Sequence, residues 1–119
     1  KAKIFGADID SEILFSEKRI KTYKVDQCSI DSMENLFKKK IGKNFDLIID
    51  DGLHAPYTNI NFILACLNKV KKDGWLIIED IPFKTKPIWC IINLILSKNK
   101  KCFLVKTKNC YVFCINKKD

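Results

Sequence analysis

Apolar residues in this chain come in short runs, and most of the runs close in acidic residues. Ala2 to Ala7 closes in Asp8-Ile9-Asp10. Phe45 to Ile49, broken only by Asp46, closes in Asp50-Asp51-Gly52-Leu53-His54, and Trp75 to Ile78 closes in Glu79-Asp80. Short continuous apolar runs of this kind predict strands, and the two central ones read as strands buried on both faces. Ile20 to Val25 alternates between faces and predicts a further strand ending at Asp26. Between the runs lie helical patterns. Ser11 is placed to cap a short helix through Arg19, with Glu12 in its first turn. Asp31 or Ser32 starts a second, in which Met33, Leu36, Phe37 and Ile41 recur at helical spacing and Gly42 is the stop. Pro56 and Thr58 open a third, with Ile60, Ile63, Leu64, Leu67 and Val70 as its apolar stripe. Thr85 and Pro87 cap and begin a fourth, through Leu96. Cys102 to Lys106 and Tyr111 to Ile115 flank Lys108-Asn109 and predict an antiparallel hairpin.

The order β-α-β-α-β-α-β-α-β-β predicts a single α/β domain over residues 1–119. Its sheet is expected to be three-layered, Rossmann-like and mostly parallel, with right-handed crossovers and an antiparallel C-terminal hairpin. Ligands of such sheets bind beyond the carboxyl ends of the strands. Asp8, Asp26, Asp50, Asp51, Glu79 and Asp80 all fall on that rim. If the two central runs are parallel neighbours, four carboxylates crowd together with His54, the only histidine. Like charges gathered that closely hold a cation, move a proton or grip a polar ligand. The plainer alternative is that an Asp after a strand caps the next helix and a loop histidine is solvated. Tyr57 is open between an acceptor pocket and packing, and Glu79 between a ligand and a structural residue; Asp10 reads as a turn or helix-entry residue.

Bulk composition narrows the classes. A chain of 119 residues, 47% hydrophobic and 30% charged, suits one globular core. No apolar run approaches the ~20 residues that span a bilayer, and no signal-peptide pattern opens the chain. The net charge of +8 invites a nucleic-acid partner, but Arg19 is the only arginine among 22 basic residues. Nucleic-acid sites lean on the planar guanidinium fork. The lysines fall at helix ends and turns, so they read as a solvated surface. The six cysteines form no Cys-x-x-Cys pair and read as small buried hydrophobes of a protein in a reducing cytoplasm. A Cys102–Cys114 bridge across the hairpin is left open.

Phe45-Asp-Leu-Ile-Ile-Asp-Asp-Gly-Leu-His54, a helix, and then Asp73-Gly-Trp-Leu-Ile-Ile-Glu-Asp-Ile81 resemble the class I S-adenosylmethionine-dependent methyltransferases. The likeness is greatest to the branch with the macrolide-sugar O-methyltransferases and cephalosporin-hydroxylase-like proteins. Gly6-Ala-Asp-Ile-Asp10 resembles the end of the family's second strand, Val25-Asp-Gln27 the end of its third, and the terminal hairpin its reversed sixth and seventh strands. The resemblance implies a methyltransferase using S-adenosyl-L-methionine, with Mg2+ as a further cofactor. Asp8 would hold the cofactor's ribose, Asp26 with Gln27 would meet the adenine, and Asp50 would lie near the methionine and methyl group. Asp51 and Asp80 would bind the metal, and His54, assisted by Asp51, would be the general base on a sugar, glycan or other small hydroxylated acceptor. This agrees with the residues' own chemistry: a hydroxyl is a poor nucleophile, an imidazole exchanges protons near neutral pH, and a hard cation on oxygen ligands lowers a hydroxyl's pKa.

No Gly-x-Gly pattern occurs, so the family's first strand and glycine-rich loop have no counterpart here. The resemblance therefore implies an N-terminally shortened domain, with the sheet open between the strands ending at Asp8 and Asp50. A non-catalytic remnant and a nucleic-acid-binding or RNA-methylating domain are the rival functions, and the oligomeric state is open between monomer and homo-oligomer.

Overall fold

The computed structural model describes residues 1–118. Among the described residues, six strands and three α-helices follow the expected order except between the first two strands, where the expected helix is absent. They are β1 (Ile4–Asp8), β2 (Ile20–Lys24), α1 (Ile30–Leu36), β3 (Phe45–Asp50), α2 (Pro56–Cys66), β4 (Val70–Ile81), α3 (Lys86–Leu96), β5 (Lys101–Lys106) and β6 (Tyr111–Asn116). Among the described residues no helix is long and apolar enough to cross a membrane.

The strands form two sheets. β1 pairs with β2 in parallel, and a second sheet runs in the order β3-β4-β6-β5, with β3 parallel to β4 and β6 antiparallel to both neighbours. The two sheets point the same way. At their starts Phe5 of β1 meets Phe45 of β3 edge-on, with ring centroids 5.8 Å apart. At their ends Gln27, just beyond β2, donates to Asp50 of β3 at 2.7 Å. β1 and β3 thus run alongside each other without pairing, and the sheet is open between them, as the resemblance implies.

Register shows which face is covered. Ile48 and Asp50 lie level with Leu76 and Ile78 of β4, which lie level with Ile115 and Phe113 of β6. Parity puts all six on one face. α2 sits over that face through Asn59, which bonds Asp50, and α3 sits over it through Trp89, whose ring lies 5.2 Å from that of Phe113. Trp89, Leu76, Ile78, Phe113 and Ile115 are fully buried there. Leu47 and Ile49 point to the opposite face, and each is 47% exposed. The expected double burial of β3 is therefore corrected: beyond the register shift at its start, Ile48 and Asp50 are covered and Leu47 and Ile49 are not.

One expected helix does not form. The helix expected from Ser11 to Arg19 is a single 3-10 turn, Ser11–Ile13, capped by Asp10 rather than by Ser11. Beyond it Phe15 is tied to Thr22, whose hydroxyl accepts from the Phe15 N–H at 2.5 Å and donates to the Phe15 carbonyl at 2.6 Å. The segment lies against β2 as an arm.

Other boundaries shift modestly. Ser29, not Asp31 or Ser32, caps α1 by accepting from the Ser32 N–H. A π-helical turn, Phe37–Ile41, carries α1 on to Gly42, where φ is +80°. In α2 the buried positions include Thr58, Asn59, Ile63 and Cys66, whereas Leu64 is exposed and Val70 belongs to β4. The Cys102–Cys114 bridge is also excluded. Cys102 faces Ile115 and Cys114 faces Phe103, so the two side chains leave opposite faces of the hairpin, and both are free thiols. Only Cys66 is buried, where desolvation pushes its thiol pKa up; Cys28 and Cys90 are exposed.

β4 starts five residues before Trp75 and bends at Asp73-Gly74, a bulge that displaces its register with β3 between Phe45 and Leu47. Asn116 pins the bulge by donating to the carbonyls of Asp73 and Gly74, both at 3.0 Å. A Cβ on Gly74 would stand 2.7 Å from Val70 Cγ1 and 2.9 Å from the carbonyl oxygen of Asp46. Gly74→Ala therefore forces β3 and β4 apart and is expected to cost about 1–3 kcal/mol. Urea unfolding checks this; an unchanged midpoint would show that the bulge can move.

Candidate active site

The parallel pair β3–β4 brings its two acidic tails to one rim. Asp51 follows β3 directly, His54 lies in the short loop before α2, and Asp80 lies near the end of β4. One ligand atom from each of these three residues lies within 4.8 Å of the others, and all three residues are exposed. His54 Nε2 stands 3.9 Å from Asp80 Oδ2. Glu79 is not part of the cluster.

Asp80 reaches this position through a break in the ladder. The register between β4 and β6 shifts between Ile78 and Ile81, and Asp80 takes φ +50° inside that shift. A left-handed non-glycine residue is uncommon, and Asp is among the side chains that tolerate it. On the other strand, the loop carrying Asp51 and His54 is held from beneath by α2. Thr58 Oγ1 donates to the carbonyls of Leu53 at 2.7 Å and Ala55 at 2.9 Å.

Asp50 and Gln27 come together as neighbours of the cluster. Asp50 is 3% exposed. Its Oδ1 accepts from Gln27 Nε2 at 2.7 Å and from the Gly52 N–H at 3.2 Å, and its Oδ2 accepts from Asn59 Nδ2 at 2.9 Å. Gln27 Oε1 in turn accepts from the Leu53 N–H at 2.8 Å. Burial raises the Asp50 pKa above the ordinary Asp value, and the bonds from Asn59, Gly52 and Gln27 oppose that rise. The side chain of Gln27 rests where a Cβ on Gly52 would lie, so glycine is what lets the amide reach Asp50.

Asp8 and Asp26 stand at the ends of β1 and β2. Asp8 Oδ1 accepts from the Asp10 N–H at 2.9 Å, and Asp26 Oδ1 accepts from the Cys28 N–H, also at 2.9 Å. Both lie on the same rim as Asp51 and Asp80, because the two sheets are parallel, but neither joins the cluster. Tyr57 is exposed and its hydroxyl lies 3.5 Å from Cys28 Sγ.

Two residues that the sequence analysis did not single out also act here. Asn59 is buried and binds Asp50; its signal was a polar Thr58-Asn59 pair at the start of an otherwise apolar helix. Cys110, in the turn before β6, donates to Asp80 Oδ1 at 3.4 Å, and nothing in the sequence pattern links two residues thirty positions apart.

The donor set fits a divalent cation. Ligands of one octahedral Mg2+ at about 2.0–2.1 Å lie roughly 3–4 Å from one another. Two carboxylates and an imidazole spread over no more than 4.8 Å close onto such an ion by small rotations of exposed side chains.

No protein-family model and no curated protein matches the chain. Solved structures do. The methyltransferase MycE from the mycinamycin biosynthetic pathway, in complex with Mg and SAH, superposes with a TM-score of 0.70 at 20% identity, over 98% of this chain and 37% of MycE. MycE in complex with Mg, SAH and mycinamycin VI gives 0.70 at 21% identity, over 98% and 36%. An rRNA methylase from Streptococcus thermophilus gives 0.62 at 14% identity, over 98% of this chain and 74% of that one. The chain thus spans little more than a third of the length of MycE. Strand order, direction and the reversed final strand agree with these likenesses: the chain has the fold of the class I S-adenosylmethionine-dependent methyltransferases.

Proposed function

We propose that the chain carries the rim of an S-adenosylmethionine-dependent O-methyltransferase that acts, with a divalent metal, on a hydroxyl of a sugar or similar small acceptor. The observation that carries this reading is the convergence of Asp51, His54 and Asp80 at the carboxyl end of a parallel strand pair. MycE, whose structures hold Mg and SAH, supports it by likeness of fold. When bound, the sulfonium cofactor supplies an electrophilic methyl group, and the metal, held by Asp51 and Asp80, orients the acceptor and makes its hydroxyl more acidic. Hard Mg2+ prefers the carboxylate oxygens, which leaves the His54 imidazole to take the hydroxyl proton.

Asp8 is the acceptor for the ribose hydroxyls, and Asp26 faces the adenine edge. Gln27 and Asp50 are satisfied by each other, by Asn59 and by the loop amides. In this reading they hold the loop that presents Asp51 and His54, and they border the cofactor rather than grip it. The contacts made elsewhere by a glycine-rich loop are not assigned to these residues.

Calorimetry with Mg2+ and with S-adenosylmethionine tests the assignment. Asp51→Asn and Asp80→Asn are each expected to weaken Mg2+ binding by at least about tenfold, while leaving cofactor affinity nearly intact. Equal Mg2+ affinity in the wild type and both variants removes the metal role. Likeness to rRNA methylases and the net charge of +8 favour RNA as the alternative acceptor. RNA binding that falls steeply with salt would move the assignment there.

A further inference from the structure

We propose that Cys110 is a positioning residue of the cluster: its thiol holds one oxygen of Asp80 so that the other faces His54 and Asp51. This rests on the metal-site reading above and extends it to the hairpin on the far side of β4.

The turn that carries Cys110 is fixed by its own bonds. Thr107 Oγ1 donates to the Cys110 carbonyl at 2.9 Å and accepts from the Cys110 N–H at 3.1 Å. The Thr107 N–H donates to that same carbonyl at 2.9 Å. These bonds set the backbone of Cys110 just before β6 pairs with β4 at Tyr111 and Ile81. That pair closes the register shift containing Asp80, so the turn and the shift bring the two side chains together. Cys110 Sγ lies 3.2 Å from Thr107 Oγ1 and 3.4 Å from Asp80 Oδ1. An ionised carboxylate only accepts, so the thiol is the donor in its contact with Asp80.

The consequence is a division of labour within one carboxylate. Oδ1 is turned to the hairpin, while Oδ2 is the oxygen 3.9 Å from His54 Nε2. Asp80 is exposed, and an exposed carboxylate on a left-handed residue otherwise samples several rotamers. A donor on the outer oxygen narrows that choice. Groups that orient a ligand in this way typically change metal affinity 10–100-fold when removed. A thiol is a weak donor, which puts Cys110 at the lower end.

The test measures Mn2+ binding to the wild type, Cys110→Ala and Cys110→Ser, by the resonance of free Mn2+, together with the melting temperature of each. Cys110→Ala is expected to bind Mn2+ about tenfold more weakly at an unchanged melting temperature, and Cys110→Ser to restore most of the loss, because a hydroxyl also donates to Oδ1. Wild-type affinity in Cys110→Ala overturns the positioning role while leaving the metal site standing. Equal weakness in Cys110→Ser and Cys110→Ala overturns it too, since side-chain volume would then be the cause. Failure of the wild type to bind Mn2+ overturns this proposal and the metal-site reading together.

Discussion

Asp50→Ala is expected to destabilise the protein by about 2–3 kcal/mol, the largest folding effect of any single change on the rim. The wild-type carboxylate accepts from three donors, and the variant leaves the Asn59 amide buried without an acceptor. A buried donor left unmatched costs about 1–3 kcal/mol by itself. Gln27 and the Gly52 amide add less, because they are nearer to solvent. Relief of the buried charge offsets part of the loss. The Gln27–Asp50 bond also ties the end of β2 to the end of β3 across the opening in the sheet. Losing it should loosen the β1–β2 pair, read as faster amide exchange in β1 and β2 than in β4 and β6.

The pH dependence follows from the direction of the Asp50 shift. Its native pKa is raised above the ordinary value of 3.8, chiefly by desolvation. The folded state then binds the proton more tightly than the unfolded state does. The contribution of Asp50 to stability therefore grows as pH falls through the native pKa, and levels off below the unfolded one. Alanine has no such contribution, so the gap between wild type and Asp50→Ala should widen on acidification and then become constant. Urea midpoints measured across the acid range check this. A gap that narrows as pH falls would mean that the hydrogen bonds outweigh burial.

The central elements were legible because their causes are local. Short apolar runs between turn residues, that of β3 broken only by Asp46, marked β3 and the core of β4, and Thr85 with Pro87 marked the start of α3 within a residue. The rim was legible for a related reason: in a parallel pair, adjacent strands end at the same edge, so Asp51 and Asp80 had to meet once β3 and β4 were neighbours. What failed depended on partners distant in sequence. Residues 11–19 have a helical pattern, but Thr22 offers the Phe15 backbone both a donor and an acceptor, and the extended arm wins. Leu47 and Ile49 look like the inside of a central strand, yet each is 47% exposed on the face turned away from α2 and α3. Cys110 reaches Asp80 only through the β4–β6 register shift, and a displaced register leaves no mark on hydrophobic spacing.

His54→Ala is expected to lower methyl transfer by about 10²–10⁴-fold, the range for loss of a positioned general base. Binding of Mg2+ and of S-adenosylmethionine should change little. The imidazole is partly exposed and makes no short bond that holds the fold, so the melting temperature should stay where it is. That separation matters because His54 lies close enough to Asp51 and Asp80 to be a metal ligand instead. The two roles exclude each other, since a nitrogen lone pair on a cation cannot accept the hydroxyl proton. Release of SAH with a hydroxylated sugar as acceptor measures the first quantity, and calorimetry with Mg2+ the second. If His54→Ala loses Mg2+ as severely as Asp51→Asn does, the imidazole is a ligand and the base must be sought elsewhere. If turnover collapses while Mg2+ affinity holds, added imidazole should restore part of the rate, because it refills the position of the only histidine in the chain.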